Sequence, residues 1–194
     1  PKLNRTGTGG YLRPDELIEF DYFKTPKALS GLVVDGFPAE CAYLAAEFYR
    51  NSFDAFVSVN VGNNLGVDIF NSGTVMSVVQ GWWLGYPGLA ISVNSQTKAY
   101  RPQHILEAMD ILEQTKGLYS LNFPEEIRHN ELIVTSRLGT VQRVTIVKLN
   151  SHQQNFEIVD RDVFYDIAHQ TDTLHYLKGY AVLVDLRKYF GGAQ

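Results

Sequence analysis

The chain of 194 residues carries 17 Lys and Arg against 21 Asp and Glu, a net charge of -4, and its 45% hydrophobic content suits one globular unit with a sizeable core. This balance offers no positive field to a nucleic-acid duplex or an acidic membrane surface. The lone Cys41 excludes an internal disulfide and a C-x-x-C metal site and points to a reducing, cytoplasmic setting; no apolar run reaches the roughly 18 residues of a membrane span.

The first residues, PKLNRTGTGG, lack the apolar core of a signal peptide, and residues 1–16 read as a polar, glycine-rich loop. The chain begins at Pro1 and not at Met, so a segment was removed or the chain belongs to a longer polypeptide. Asn4-Arg5-Thr6 matches a glycosylation sequon, with no secretory context to support it. Gly7, Gly9 and Gly10 form a glycine cluster with no strand before it, which fails the context of a dinucleotide fingerprint.

The spacing of Cys41, Leu44, Ala45 and Phe48 predicts a helix over 38–50, with Pro38 in its first turn and Cys41 and Tyr43 as core positions. Residues 54–60 are short and apolar between polar flanks, the pattern of a buried parallel strand. From Ser72 or Gly73, Val75, Val78, Val79 and Trp82 recur at helical spacing until Gly85-Tyr86-Pro87 stops them. Leu89–Val93 reads as a second strand. A helix follows from His104, with Ile105, Met109 and Leu112 inward and Gly117 as its stop, and then a strand over 118–123. Strand and helix alternate up to Pro124, which defines an α/β fold with a doubly wound, mostly parallel sheet. Beyond it, Leu132–Thr135, Val141–Val147, Phe156–Val159 and Tyr180–Val184 form a β-rich part of hairpins, suited to an assembly arm.

Between the first strand and the second helix lies NVGNNLGVDIFNSGTV, residues 60–75, with four asparagines and three glycines. Such a run does not belong in a core, because each amide and hydroxyl there needs a partner. It sits where open α/β sheets bind ligands, at the carboxyl end of a strand leading into a helix N-terminus. Ser72, Gly73 and Thr74 open that helix, so their amides and hydroxyls suit a phosphate group, aided by the helix dipole. Asn60 offers a neutral oxygen to a hard metal ion, and Asn64 an amide donor to a phosphoryl oxygen. The alternative is local: Ser72 caps a helix and the asparagines satisfy turns. The lysine of a Walker-A loop is absent. Asp68 reads equally as a group ordering the loop and as a solvated turn residue. Trp82 and Trp83 offer a stacking surface or, for at least one of them, a core position. The five histidines, 104, 129, 152, 169 and 175, show no zinc-ligand spacing, and Asp160-Arg161-Asp162 reads as an exposed charge cluster.

Taken together, Gly36-Phe37-Pro38-Ala39-Glu40-Cys41-Ala42-Tyr43-Leu44, Ser58-Val59-Asn60-Val61-Gly62-Asn63-Asn64-Leu65-Gly66-Val67-Asp68, Ser72-Gly73-Thr74-Val75 and Gly85-Tyr86-Pro87-Gly88-Leu89-Ala90-Ile91-Ser92 resemble the SurE family of stationary-phase survival proteins. Asn4-Arg5-Thr6-Gly7 resembles the family's Asn-Arg-Ser-Gly loop, and Thr171-Asp172 and Gly179-Tyr180 resemble its C-terminal landmarks. The resemblance implies a Rossmann-like fold and a metal-dependent phosphomonoesterase releasing phosphate from nucleoside 5'- or 3'-monophosphates. It implies homodimers or homotetramers that exchange a C-terminal extension. It implies a divalent ion, Mg or Mn, held by Asn60 and Thr6 with a pair of Asp residues. Gly62, Asn63, Asn64, Ser72, Gly73 and Thr74 fall on the phosphate side, Asn64, Ser72 and Thr74 in catalytic roles. The family's Asn-Asp-Asp-Gly motif, at the end of its first strand, has no counterpart here. The expected organisation is therefore a core over 1–124 lacking its first strand, followed by a β-rich part over 125–194. A chain without the Asp pair is expected to hydrolyse weakly or not at all alone, since hard cations want anionic oxygen. Three explanations stand side by side: a parent polypeptide carrying that strand, a second chain supplying it, or a non-catalytic descendant that binds phosphate or nucleotide without turnover.

Overall fold

The computed structural model describes residues 6–24, 30–94, 99–150, 155–165 and 170–191. The first elements are a single 3-10 turn at Thr6–Thr8 and a hairpin of β1 (Phe20–Lys24) and β2 (Ser30–Val34), paired antiparallel with Phe20 opposite Val34. Neither hairpin strand follows a strong apolar alternation, and the sequence pattern did not predict them. Then come α1 (Pro38–Phe48), β3 (Phe56–Val61), a 3-10 turn over Gly66–Asn71, α2 (Gly73–Trp83), β4 (Gly88–Val93), α3 (Pro102–Thr115) and β5 (Leu118–Asn122). The C-terminal part holds β6 (Leu132–Thr135), β7 (Val141–Asn150), β8 (Asn155–Tyr165), α4 (Asp172–Leu177), β9 (Ala181–Asp185) and the short α5 (Arg187–Phe190).

Five strands make the central sheet in the order β3-β4-β5-β9-β6. The β3-β4, β4-β5 and β6-β9 pairs are parallel, and β5-β9 is antiparallel. The sheet thus crosses the boundary near residue 124: β6 and β9 complete it from the C-terminal part. Within the C-terminal part β7 and β8 stand apart from that sheet, as a long antiparallel arm with a register shift at Val144/Thr145. His152 and His169 lie outside the described residues.

Alternation along the strands divides the core between the two faces of the sheet. Ala90, Leu118, Val182 and Val184 point toward α2 and meet Val75, Val78, Val79 and Trp82. Leu89, Ile91, Tyr119, Leu121, Ala181 and Leu183 point the other way, toward Ala108 and Leu112 of α3. The helix face predicted for α2 is the one that is buried, and Trp83 beside it is 56% exposed.

Three sequence expectations need correction. In α1 the buried residues are Pro38, Ala39, Glu40, Ala42 and Ala46, whereas Tyr43 and Phe48 are exposed and Cys41 only half-buried. The small side chains let α1 pack closely against α2. Buried Glu40 is compensated by Arg13, whose Nη2 lies 3.0 Å from it, and by the Phe37 N–H at 2.7 Å. In α3 the buried set is His104, Ala108 and Leu112; Met109 is exposed, and Lys116, not Gly117, takes the left-handed cap conformation with φ 48°. His104 is buried at the third helical position, its Nε2 2.8 Å from the Asn130 carbonyl oxygen. Finally, β3 is parallel as expected but only half-buried, because it forms an edge of the sheet. Val57, Val59 and Val61 lie on the α3 side, where α3 covers β4 and β5 and leaves β3 open. Between β2, α1 and β3 runs a groove of about 550 Å³ lined by Leu32, Cys41, Leu44, Phe53 and Val57.

Candidate functional site

At the carboxyl end of β3 the chain turns away from the sheet and reaches the N-terminus of α2 through residues 62–72. Gly62 makes the first turn at φ +139°, a conformation that disfavours a side chain. The loop is then tied to the fold at alternate residues. Gly62 donates its N–H to the Val93 carbonyl at 2.8 Å, Asn64 donates to Asn122 Oδ1 at 2.9 Å, and Gly66 donates to Asp172 Oδ2 at 2.7 Å. These acceptors sit at the end of β4, on β5 and on α4. The Asn64 side-chain amide also donates to Ser92 Oγ on β4.

The loop closes a cavity of about 250 Å³ lined by Gly7, Asn60, Gly62, Asn63, Asn64, Asp68, Asn71, Ser72 and Thr74. This is large enough for a phosphate group. Ser72, 6% exposed, caps α2 by accepting the Val75 N–H at 3.1 Å, so its local role and its place in the cavity wall coexist. The Gly73 and Thr74 N–H groups precede the first intrahelical bond, and an anion in the cavity can take them. Asn63 Oδ1 is buried and meets no hydrogen-bond partner among the described residues. Gly9 donates to the Asn71 carbonyl at 3.1 Å and brings the Thr6–Thr8 turn to the rim. The glycine cluster therefore serves the loop as a docking turn.

Asn60, Gly62, Asn63, Asn64, Ser72 and Thr74, singled out from the sequence, all line one cavity, and Gly73 lies between two of its lining residues. Thr6 begins the neighbouring turn, with its side chain outside the description. The donor set does not fit a divalent ion by itself. Asn60 Oδ1 already accepts the Val61 N–H at 2.7 Å, and the cavity lining contains one carboxylate, Asp68. Among the described residues no group of three His, Cys, Asp or Glu side chains is placed to hold a metal. Of the other described histidines, His129 stacks on Tyr180 at 3.8 Å and His175 meets the same ring edge-on.

Ser92, Asn122 and Asp172, 1%, 0% and 0% exposed, were not assigned roles from the sequence. Their signal was present for the two strand residues: a polar side chain inside an otherwise apolar strand is the informative exception. Asp172 stood out only through the Thr171-Asp172 landmark of the family resemblance, and its role could not be read there because its partners are 106 and 33 residues away.

A doubly wound α/β sheet with a polar cavity at a strand-to-helix turn defines the class: a Rossmann-like α/β protein with a cavity where such sheets commonly take their ligands. The chain belongs to the survival protein SurE family, whose model matches residues 1–147. It is 30% identical over 209 aligned positions to the 5'/3'-nucleotidase SurE of Yersinia enterocolitica, an alignment covering 100% of this chain and 82% of that protein. It is 31% identical over 135 positions to the 5'-nucleotidase SurE of Methylococcus capsulatus, covering 68% of this chain. The chain spans 47% of the length of that relative. A crystal structure of the SurE protein from Aquifex aeolicus superposes with a TM-score of 0.63 over 93% of this chain and 77% of the other, at 22% identity, and supports the fold.

Proposed function

We propose that this chain carries the phosphate-binding half of a phosphomonoesterase site acting on nucleoside 5'- or 3'-monophosphates. The observation that carries the reading is the cavity at the end of β3, into which the first turn of α2 opens beside Asn63 and Asn64. The nucleotidase names of the Yersinia and Methylococcus relatives supply the substrate class. In this reading the Gly73 and Thr74 amides and the Thr74 hydroxyl hold phosphoryl oxygens, and the second hydrogen of the Asn64 amide faces the phosphate. Charge that develops on those oxygens is stabilised by dipoles already in place. A divalent ion, Mg or Mn, would supply Lewis-acid chemistry to such a site once acidic ligands completed it. Asn60 and Thr6 would offer such an ion neutral oxygens only, Asp68 is the one carboxylate in the described lining, and further acidic oxygen would have to come from elsewhere. The β7-β8 arm is the assembly element of the proposed homodimer or homotetramer, in a cytoplasmic protein; among the described residues no helix is long and apolar enough to cross a membrane.

The second reading is a binding protein without turnover, favoured by the single carboxylate in the cavity and by the engagement of Asn60 Oδ1 with its own backbone. One experiment separates the two. Phosphate release from nucleoside monophosphates is followed with and without Mg or Mn, alongside titration with inorganic phosphate. Metal-dependent release that is lost in Asn60→Ala supports the enzyme. Phosphate binding with no release supports the binding protein, and neither binding nor release refutes both.

A further inference from the structure

Three amides of the site loop are tied down by three different elements, and the last tie comes from the far end of the chain. Asp172 begins α4 and is 0% exposed. Its Oδ2 accepts the Gly66 N–H at 2.7 Å, and its Oδ1 accepts the Gly139 N–H at 2.7 Å and its neighbour Thr173 N–H at 2.8 Å. Every one of these donors is a backbone amide, and among the described residues no Lys or Arg pairs with the carboxylate. Burial pushes the Asp172 carboxyl up, and the amide hydrogen bonds pull against that shift.

A core that only needed filling at this position would take an apolar residue, because a buried carboxylate is costly to desolvate. What the carboxylate adds is direction: two oxygens fix two backbone segments at once. On one side is Gly66, at φ +53°, where the loop passes from Asn63-Asn64-Leu65 into the 3-10 turn. On the other is Gly139, just ahead of the β7-β8 arm. It approaches Thr173 so closely that an added Cβ would lie 2.0 Å from Thr173 Oγ1. The spacing of the two segments is therefore set by the carboxylate and by tight backbone packing together.

We propose that Asp172 is a positioning residue for the phosphate-facing loop. It holds residues 62–66 in the arrangement that places Asn63 and Asn64 at the cavity, and it locks that loop to the base of the β7-β8 arm. The inference rests on the proposed phosphate site for its functional consequence, and on the hydrogen bonds alone for its structural one.

The test compares Asp172→Asn with Thr171→Ala. Asn is isosteric but has a single acceptor oxygen, so it loses one of the two backbone ties. Thr171→Ala removes the cap of the same helix, in which Thr171 Oγ1 accepts the Leu174 N–H at 3.4 Å, together with the 2.9 Å hydrogen bond between Thr171 Oγ1 and Thr173 Oγ1, and leaves both carboxylate ties themselves in place. Affinity for inorganic phosphate is measured by calorimetry, and amide exchange is read at Gly66 and Gly139. Asp172→Asn is expected to weaken phosphate binding by roughly tenfold to a hundredfold, the range for a mispositioned site. It is also expected to accelerate exchange locally at one or both amides. Thr171→Ala should lower stability and change neither phosphate affinity nor exchange at Gly66, the tie remote from Thr173. Equal phosphate affinity in Asp172→Asn and wild type, with unchanged exchange at both amides, overturns the proposal. If wild type binds no phosphate, the phosphate reading fails by itself and exchange decides: local acceleration at Gly66 or Gly139 supports the positioning role, and its absence overturns it. Should Asp172→Asn not fold, Asp172→Glu, which keeps the charge and shifts both oxygens by one methylene, is read by the same criteria.

Discussion

Replacing Asn122 with Leu probes how strands β4 and β5 hold the site loop. Asn122 is fully buried; its Oδ1 accepts the Asn64 N–H at 2.9 Å and its Nδ2 donates to Ser120 Oγ at 3.2 Å. Leu has similar volume and neither group. Two polar atoms lose partners, the Asn64 N–H in the half-buried loop and the Ser120 hydroxyl, which is 0% exposed. Each such orphan costs about 1–3 kcal/mol, and the extra apolar surface of Leu offsets part of this, leaving a net loss of about 2–4 kcal/mol. For a chain of this size the loss lowers Tm by about 4–16 °C. Urea titration should show a lower midpoint at an unchanged m-value, and amide exchange at Asn64 should accelerate more than elsewhere. A stability loss below about 0.5 kcal/mol, the scale of an ordinary surface substitution, would refute the role of Asn122 as the loop's acceptor.

The Arg13–Glu40 pair carries a pH signature. Burial pushes the Glu40 carboxyl up, but Arg13 and the backbone N–H groups of Phe37 and Arg13 hold it below its ordinary value of 4.5. A carboxyl depressed on folding contributes stability above its unfolded pKa and loses it as pH falls through the folded value. Arg13→Met strands the carboxylate, so the stability gap between wild type and variant should be widest near neutral pH. It should narrow on acidification through the carboxylate range in urea titrations at each pH, and a constant gap contradicts the pairing. Gly81→Ala tests the contact of α2 with β3. The added Cβ would lie 2.4 Å from Phe56 Cδ2, and that ring is wedged between Phe53 and Tyr86. Overpacking of this kind costs about 1–3 kcal/mol, read as a lower urea midpoint; an unchanged or higher midpoint shows that Phe56 yields.

The α/β alternation, the strands β3, β4 and β5, the buried face of α2 and the polar loop after β3 were all legible in the sequence. Each depends on short-range periodicity, which the chain displays without knowledge of its partners. Ser72 and Thr74 were legible for the same reason, because helix-start chemistry is local. The burial of α1 was not. Its hydrophobic stripe predicted Tyr43 and Phe48 inside, yet close approach to α2 favours Ala39, Ala42 and Ala46, and only the facing helix imposes that choice. The short α4 and α5 escaped detection because a helix of six or four residues shows less than two turns of pattern.

The sequence by itself determined the class of fold and the position of the polar loop after β3, since both are written in local spacing and residue type, and its motifs carried the resemblance to the family. Only the tertiary structure decided that β6 and β9 join the same sheet, that β3 stands at its edge, and that Ser92, Asn122 and Asp172 hold the loop. Those facts rest on pairings between residues 28, 58 and 106 positions apart. No window of sequence spans such distances, and the hydrogen bonds exist only once packing has excluded water from both partners.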